Sequence, residues 1–186
     1  MLKIINRKIK AHAFVEHLQK LSMWRSVDKL VFHHTSSPIE TWKGSASILH
    51  YYSIYQSRGW KSGPHIFVAP DGIWLFTPIE KEGTHAGPEG KKRSIGIEIV
   101  GRYNEELPTD ENIKRLTAVV THYLMERFGL HEKDLFTHHQ FEPDSFCSPT
   151  ITAGWLVANI ADHADYLVEL EKKLAERKNE NSNLAR

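Results

Sequence analysis

Cysteine is nearly absent from this chain: its 186 residues include one, Cys147. No intrachain disulfide can form, so that thiol is a small buried residue, a reactive group or a metal ligand. Neither sign of charge is in excess, with 24 lysines and arginines against 23 aspartates and glutamates. Without a global basic field there is little to hold nucleic acid or an anionic membrane by charge, and function is expected in a local site. No apolar run is long enough to cross a bilayer, so no membrane insertion is expected. The first residues, MLKIINRKIKAHAFVEHLQKL, are positively charged. They lack an uninterrupted apolar core and a small-residue cleavage site and do not read as a signal peptide, so synthesis in the cytoplasm is expected. Internal repeats and low-complexity linkers are also missing, which argues for one domain and a monomer.

The 40% apolar and 10% aromatic content is enough to bury a core. Phe14, Val15, Leu18 and Leu21 recur at helical spacing and predict an amphipathic helix over 11–21. KLVFHH, 29–34, is short and β-rich and is followed by the breaker TSSP, so it predicts a buried strand whose two histidines point to opposite faces. A helix is expected over 45–57, stopped by Gly59. HIFVA and IWLFT, joined by Pro70-Asp71-Gly72, predict a hairpin. SIGIEIVG is the strongest strand, with Ile95, Ile97 and Ile99 on one face and Gly96, Glu98 and Val100 on the other. Thr109 is expected to cap the next helix and Gly129 to end it. LFTHH predicts a last short strand, and a long helix is expected from about 155 to 177. The segments divide as a helical N-terminal stretch, 1–26, a main domain, 27–177, and a polar, disordered tail, 178–186. Strands interleaved with helices imply an α/β single domain with a central mixed β-sheet flanked by helices.

Twelve histidines are present. His12, His17, His122 and His163 fall on helical segments, where a solvated side chain is the simple reading. Two HH pairs stand apart. One of His33 and His34 ends the first strand, one of His138 and His139 ends the last, and Cys147 follows in the next loop. Catalytic zinc commonly takes three such ligands and leaves a position open for water. Hydrolysis at such a site also needs an acid/base group. Glu98 is a candidate, because it interrupts an aliphatic strand and shares its face with Gly96, which leaves room for substrate. A carboxylate on the solvated face of an antiparallel strand is the competing reading.

Taken in order, LVFHHTSS, GWKSGPHIFVAPDG, THAG, SIGIEIVG and THHQFEPDSFCSP resemble the type 2 N-acetylmuramoyl-L-alanine amidases. That family includes phage lysozyme-amidases, cytoplasmic anhydromuropeptide amidases and animal peptidoglycan-recognition proteins. The resemblance covers about residues 27–155 and implies a groove with zinc at its floor. It implies His33, His138 and Cys147 as the metal ligands, Glu98 as the catalytic glutamate, and His85 as a substrate contact lining the groove. His34 and His139 are expected to face away from the metal and order neighbouring loops. Two departures stand out. Gly63-Pro64 occupies the place where many relatives have a Gly-Tyr pair, so that phenol is missing. Ser145 stands where relatives carry lysine or threonine, and its hydroxyl is the expected donor to a developing oxyanion. The resemblance implies cleavage of the bond between the lactyl group of N-acetylmuramic acid and L-alanine. The compact chain and short cysteine-bearing loop favour an endolysin acting on the cell wall after release. The alternatives are a recycling amidase for soluble anhydromuropeptides and a receptor that binds without cutting.

Overall fold

The computed structural model describes residues 4–143, 145, 147 and 150–184. The strands are β1 (Arg7–Ile9), β2 (Lys29–His34), β3 (Ile66–Ala69), β4 (Gly72–Leu75), β5 (Ser94–Ile99) and β6 (Leu135–Thr137). The helices are α1 (Ala11–Lys20), α2 (Ser45–Ser57), α3 (Gly87–Lys91), α4 (Glu111–Phe128), α5 (Ala153–Asp162) and α6 (Ala164–Leu184). All six strands join one sheet in the order β1-β4-β3-β5-β2-β6. The sheet is mixed. β3, β5, β2 and β6 run parallel to their neighbours, whereas the β3–β4 hairpin and the β1–β4 pair are antiparallel.

β2 and β5 are the central parallel strands, and nearly every residue of both is buried. That is the usual state of a parallel strand with both faces covered. It also removes the solvated-face reading of Glu98, whose residue is 9% exposed. Side chains of paired residues share a face, so the register divides the core in two. Leu30, Phe32, Ile95, Ile97, Ile66 and Val68 enter the larger cluster, with residues of α1, α4, α5 and α6 packed over them. Phe67 and Trp74 enter a smaller cluster under Ile48 and Tyr55 of α2. The thinly covered face is therefore the one that carries His33, Gly96 and Glu98, because His33 pairs with Glu98 and Glu98 with Phe67.

Several local expectations shift. α4 is capped by Asp110, whose carboxylate accepts from the Ile113 N–H at 2.8 Å, one residue after the expected Thr109. Gly129 ends the same helix in the left-handed conformation, φ +65°. The long C-terminal helix is two helices, parted at His163. That histidine is not solvated: it is buried, held between the Asn159 carbonyl at 2.8 Å and the Glu111 carboxylate at 2.9 Å. α6 continues past Arg177 to Leu184, through most of the stretch read as a tail. β1 has no counterpart among the expected strands. Among the described residues, no helix is long and apolar enough to cross a membrane.

Candidate active site

Ligands of open parallel sheets gather at the carboxyl ends of the strands. Here β2 ends in His33 and His34, β5 in Glu98 and Ile99, and β6 runs into a turn that begins at His138. The loop after that turn brings Cys147 back to the same edge. One ligand atom from each of His33, His138 and Cys147 lies within 4.8 Å of the other two. His33 Nδ1 is 3.9 Å from Cys147 Sγ. His138 Nε2 bonds the Glu142 carboxylate, while its Nδ1 is buried without a hydrogen-bond partner. A buried nitrogen left without a partner is costly unless something else meets its lone pair. Two imidazoles and a thiol form a donor set suited to zinc, so the residues fit the ion. Burial, helped by His138 and His34, holds His33 well below the usual imidazole range, so its lone pair is free for a cation. Burial and the nearby Glu98 charge push the Cys147 thiol up to about 12, so a bound cation is what would make it a thiolate.

The ligand group sits in a groove of about 470 Å³, walled by α2 and floored by the sheet. Glu98 lies in that floor. Burial raises its carboxyl from the ordinary 4.5 to about 8, against a smaller lowering by the Tyr55 hydroxyl, which donates to Glu98 Oε1 at 3.5 Å. Ser145 also lines the groove, and its Oγ is buried without a hydrogen-bond partner. A larger cavity of about 750 Å³ lies elsewhere, where β1 meets α6, and is lined by charges of both signs such as Lys8, Lys173, Arg177 and Glu169. The chemistry belongs to the smaller groove, since His33, His138 and Cys147 are the only group of metal-binding type among the described residues.

His85 lines the same groove but is almost wholly buried. Its Nδ1 is 3.1 Å from His33 Nε2 and its Nε2 is 3.2 Å from Ser94 Oγ. The space above Gly96, expected to admit substrate, is taken by that ring: a Cβ at Gly96 would lie 2.5 Å from His85 Cγ. His34 faces the other side of the sheet, and its Nδ1 accepts from the backbone N–H of Ser36 at 3.2 Å and of Tyr103 at 3.4 Å. It thereby ties the loop after β2 to the loop after β5.

The sequence model of the N-acetylmuramoyl-L-alanine amidases matches residues 23–151, a span that contains every residue of this site. The chain belongs to that family. Solved structures agree in fold. The endolysin amidase LysCS of Clostridium intestinale is 22% identical with a TM-score of 0.61, over 74% of this chain and 85% of that one. Drosophila peptidoglycan recognition protein SD is 16% identical with a TM-score of 0.59, over 73% and 82%. A mutant of Drosophila PGRP-LB, solved in complex with tracheal cytotoxin, is 20% identical with a TM-score of 0.56, over 73% and 83%. No curated protein sequence matches the chain.

Three contributors to this amidase-family site were not visible in the sequence. Tyr55 reads as one more aromatic on an amphipathic helix, yet its hydroxyl reaches Glu98, so a phenol enters the site from α2 even though Pro64 fills the place of the usual tyrosine. Glu142 stands four residues after His138, and that spacing on a tight turn is the signal that could have found it. Ser94 opens β5 and looks like a strand-starting residue. Ser148 and Pro149 of the CSP motif lie outside the described residues.

Proposed function

We propose that this chain is a zinc-dependent N-acetylmuramoyl-L-alanine amidase that acts on peptidoglycan as an endolysin, as a monomer, once released to the cell wall. The observation that carries the reading is the meeting of three metal-binding atoms within 4.8 Å of one another beside a buried carboxylate in an open groove. Zinc held by His33, His138 and Cys147 would polarise the scissile carbonyl and make water nucleophilic at neutral pH. Glu98, in its ionised form, takes the proton from the attacking water as the new C–O bond forms and returns it to the L-alanine nitrogen as the C–N bond breaks. Tyr55 holds Glu98 Oε1 in place during both transfers. Ser145 Oγ, without a protein acceptor or donor, donates a hydrogen bond to the carbonyl oxygen as charge builds there. The products are a lactyl carboxylate on the glycan and a stem peptide with a free amino end. A ligand set with all three members present speaks against a receptor that binds without cutting.

The test is digestion of purified sacculi, and separately of soluble anhydromuropeptides, with products identified by mass spectrometry. Free stem peptides and intact glycan strands are expected from sacculi. New reducing sugar ends would mean a glycosidase, and cleavage confined to the soluble substrate would make the enzyme a recycling amidase. Zinc should be near one per chain by elemental analysis, and lower in Cys147→Ser. Glu98→Gln should retain zinc and lose at least about 10²-fold in turnover. Wild-type rate in that variant would remove Glu98 from the mechanism.

A further inference from the structure

His33 and His85 face each other nitrogen to nitrogen at 3.1 Å, an approach that two imidazolium rings would not tolerate. Each neutral ring has one N–H and one lone pair, so one ring donates and the other accepts. The direction follows from the far end of the chain. Ser94 Oγ lies 2.8 Å from the Lys91 carbonyl oxygen, which can only accept, so the one hydroxyl hydrogen of Ser94 is committed there. Ser94 Oγ must then accept from His85 Nε2–H, 3.2 Å away. With its hydrogen on Nε2, His85 offers a lone pair at Nδ1, and that nitrogen accepts from His33 Nε2–H. What remains on His33 is the Nδ1 lone pair, and this is the atom that faces Cys147 Sγ.

We propose that Lys91, Ser94 and His85 form a one-directional hydrogen-bond chain that fixes His33 as its Nε2–H tautomer and presents Nδ1 to the metal. This rests on the zinc reading above. His85 and Ser94 are positioning residues that act through His33. With both ring nitrogens engaged, His85 is assigned this positioning role in place of the substrate contact that the resemblance implies. Gly96 belongs to the same device, because any side chain there would displace the His85 ring. Metal-binding histidines generally need a partner on the second nitrogen, and loss of such a partner weakens metal binding by roughly 10- to 100-fold.

Two measurements test the chain of bonds. In zinc-free protein labelled with ¹⁵N-histidine, long-range ¹H–¹⁵N spectra should show His33 and His85 both as neutral Nε2–H tautomers. A hydrogen on Nδ1 of His85 would reverse the chain and overturn the proposal. Zinc affinity is then read by competition with a chromogenic chelator. His85→Ala should bind zinc roughly 10- to 100-fold more weakly. His85→Asn should recover most of the loss, because its amide oxygen stands near the place of Nδ1, whereas His85→Gln should not. Ser94→Ala, which removes one oxygen, should weaken zinc in the same direction and carries the test if His85→Ala does not fold. Wild-type zinc affinity in all these variants with a raised KM for muropeptide would make His85 a substrate contact and overturn the proposal. If wild-type protein itself takes up no zinc, the metal reading fails, while the tautomer spectra still decide the chain of bonds.

Discussion

Replacing Glu98 by glutamine should stabilise the zinc-free protein while lowering the turnover of the zinc-loaded enzyme by at least about 10²-fold. Burial raises the Glu98 carboxyl from 4.5 to about 8 in the folded state. Between those values the folded chain holds a proton that the unfolded chain has released. Stability therefore falls as pH rises through 4.5 and stops falling only above about 8. At pH 7 the unfolded carboxylate is 2.5 pH units beyond its ordinary 4.5, and at about 1.4 kcal/mol per unit the native state carries a penalty of about 3 kcal/mol. The penalty shrinks to about 1 kcal/mol at pH 5. Glutamine has nearly the same shape, still offers an oxygen to the Tyr55 hydroxyl and has no proton to lose. Chemical unfolding of zinc-free wild type and Glu98→Gln should thus give curves about 1 kcal/mol apart at pH 5 that separate progressively to about pH 8 and stay parallel above it, with the variant more stable. Equal stability at pH 8, or a less stable variant, would show that the carboxylate ionises without penalty and would refute the upward push that burial gives it.

Three further outcomes follow from the geometry. Gly96→Ala places a methyl 2.5 Å from His85 Cγ, so unfolding experiments should show a loss of about 1–3 kcal/mol from overpacking, together with weaker zinc binding. Tyr55→Phe removes a donor to the ionised Glu98, which should move the acidic limb of the pH–rate profile to higher pH at unchanged zinc content; an unmoved limb would mean that the phenol does not serve the carboxylate. Gly129→Ala forces a side chain into φ +65° with open space around it, so thermal unfolding should report a cost of about 1 kcal/mol with turnover unaltered.

Most of the sheet is legible in the sequence because its strands are short β-rich runs closed by strong breakers. KLVFHH before TSSP and the hairpin around Pro70-Asp71-Gly72 appear with nearly the expected limits. β1 is not legible: RKI has no alternation and too few residues, and it is a strand only because Arg7–Ile9 pairs with Ile73–Leu75 of a strand distant in sequence. The break at His163 is hidden for a similar reason. No glycine or proline marks it, and the ring is fixed by Glu111 from another helix. At the site, the two HH pairs, Glu98 and Cys147 could be singled out by residue type and order, and the family resemblance chose His33 and His138 within the pairs. The partners that hold them could not, because a tyrosine on a helix, a serine at a strand start and a glycine in a strand become informative only when the fold stacks them. Gly96 shows the limit most clearly: the space it leaves belongs to His85 and not to substrate.

The pairing of His33 with Glu98 on one rung of parallel sheet has a consequence for how such a site can change. Adjacent strands stand about 4.8 Å apart whatever joins their ends, so the backbone interval between a ligand and its carboxylate is set by the ladder and acts as a fixed ruler. Cys147 has no such guarantee, since it reaches the site from a loop. Insertions around the rim of the groove can therefore remodel what the site recognises, or detach the proposed third ligand, without disturbing the spacing at its centre. Loss of metal and change of specificity are open to this architecture by loop variation alone, whereas moving the carboxylate relative to His33 requires a register slip between two central strands buried along almost their whole length.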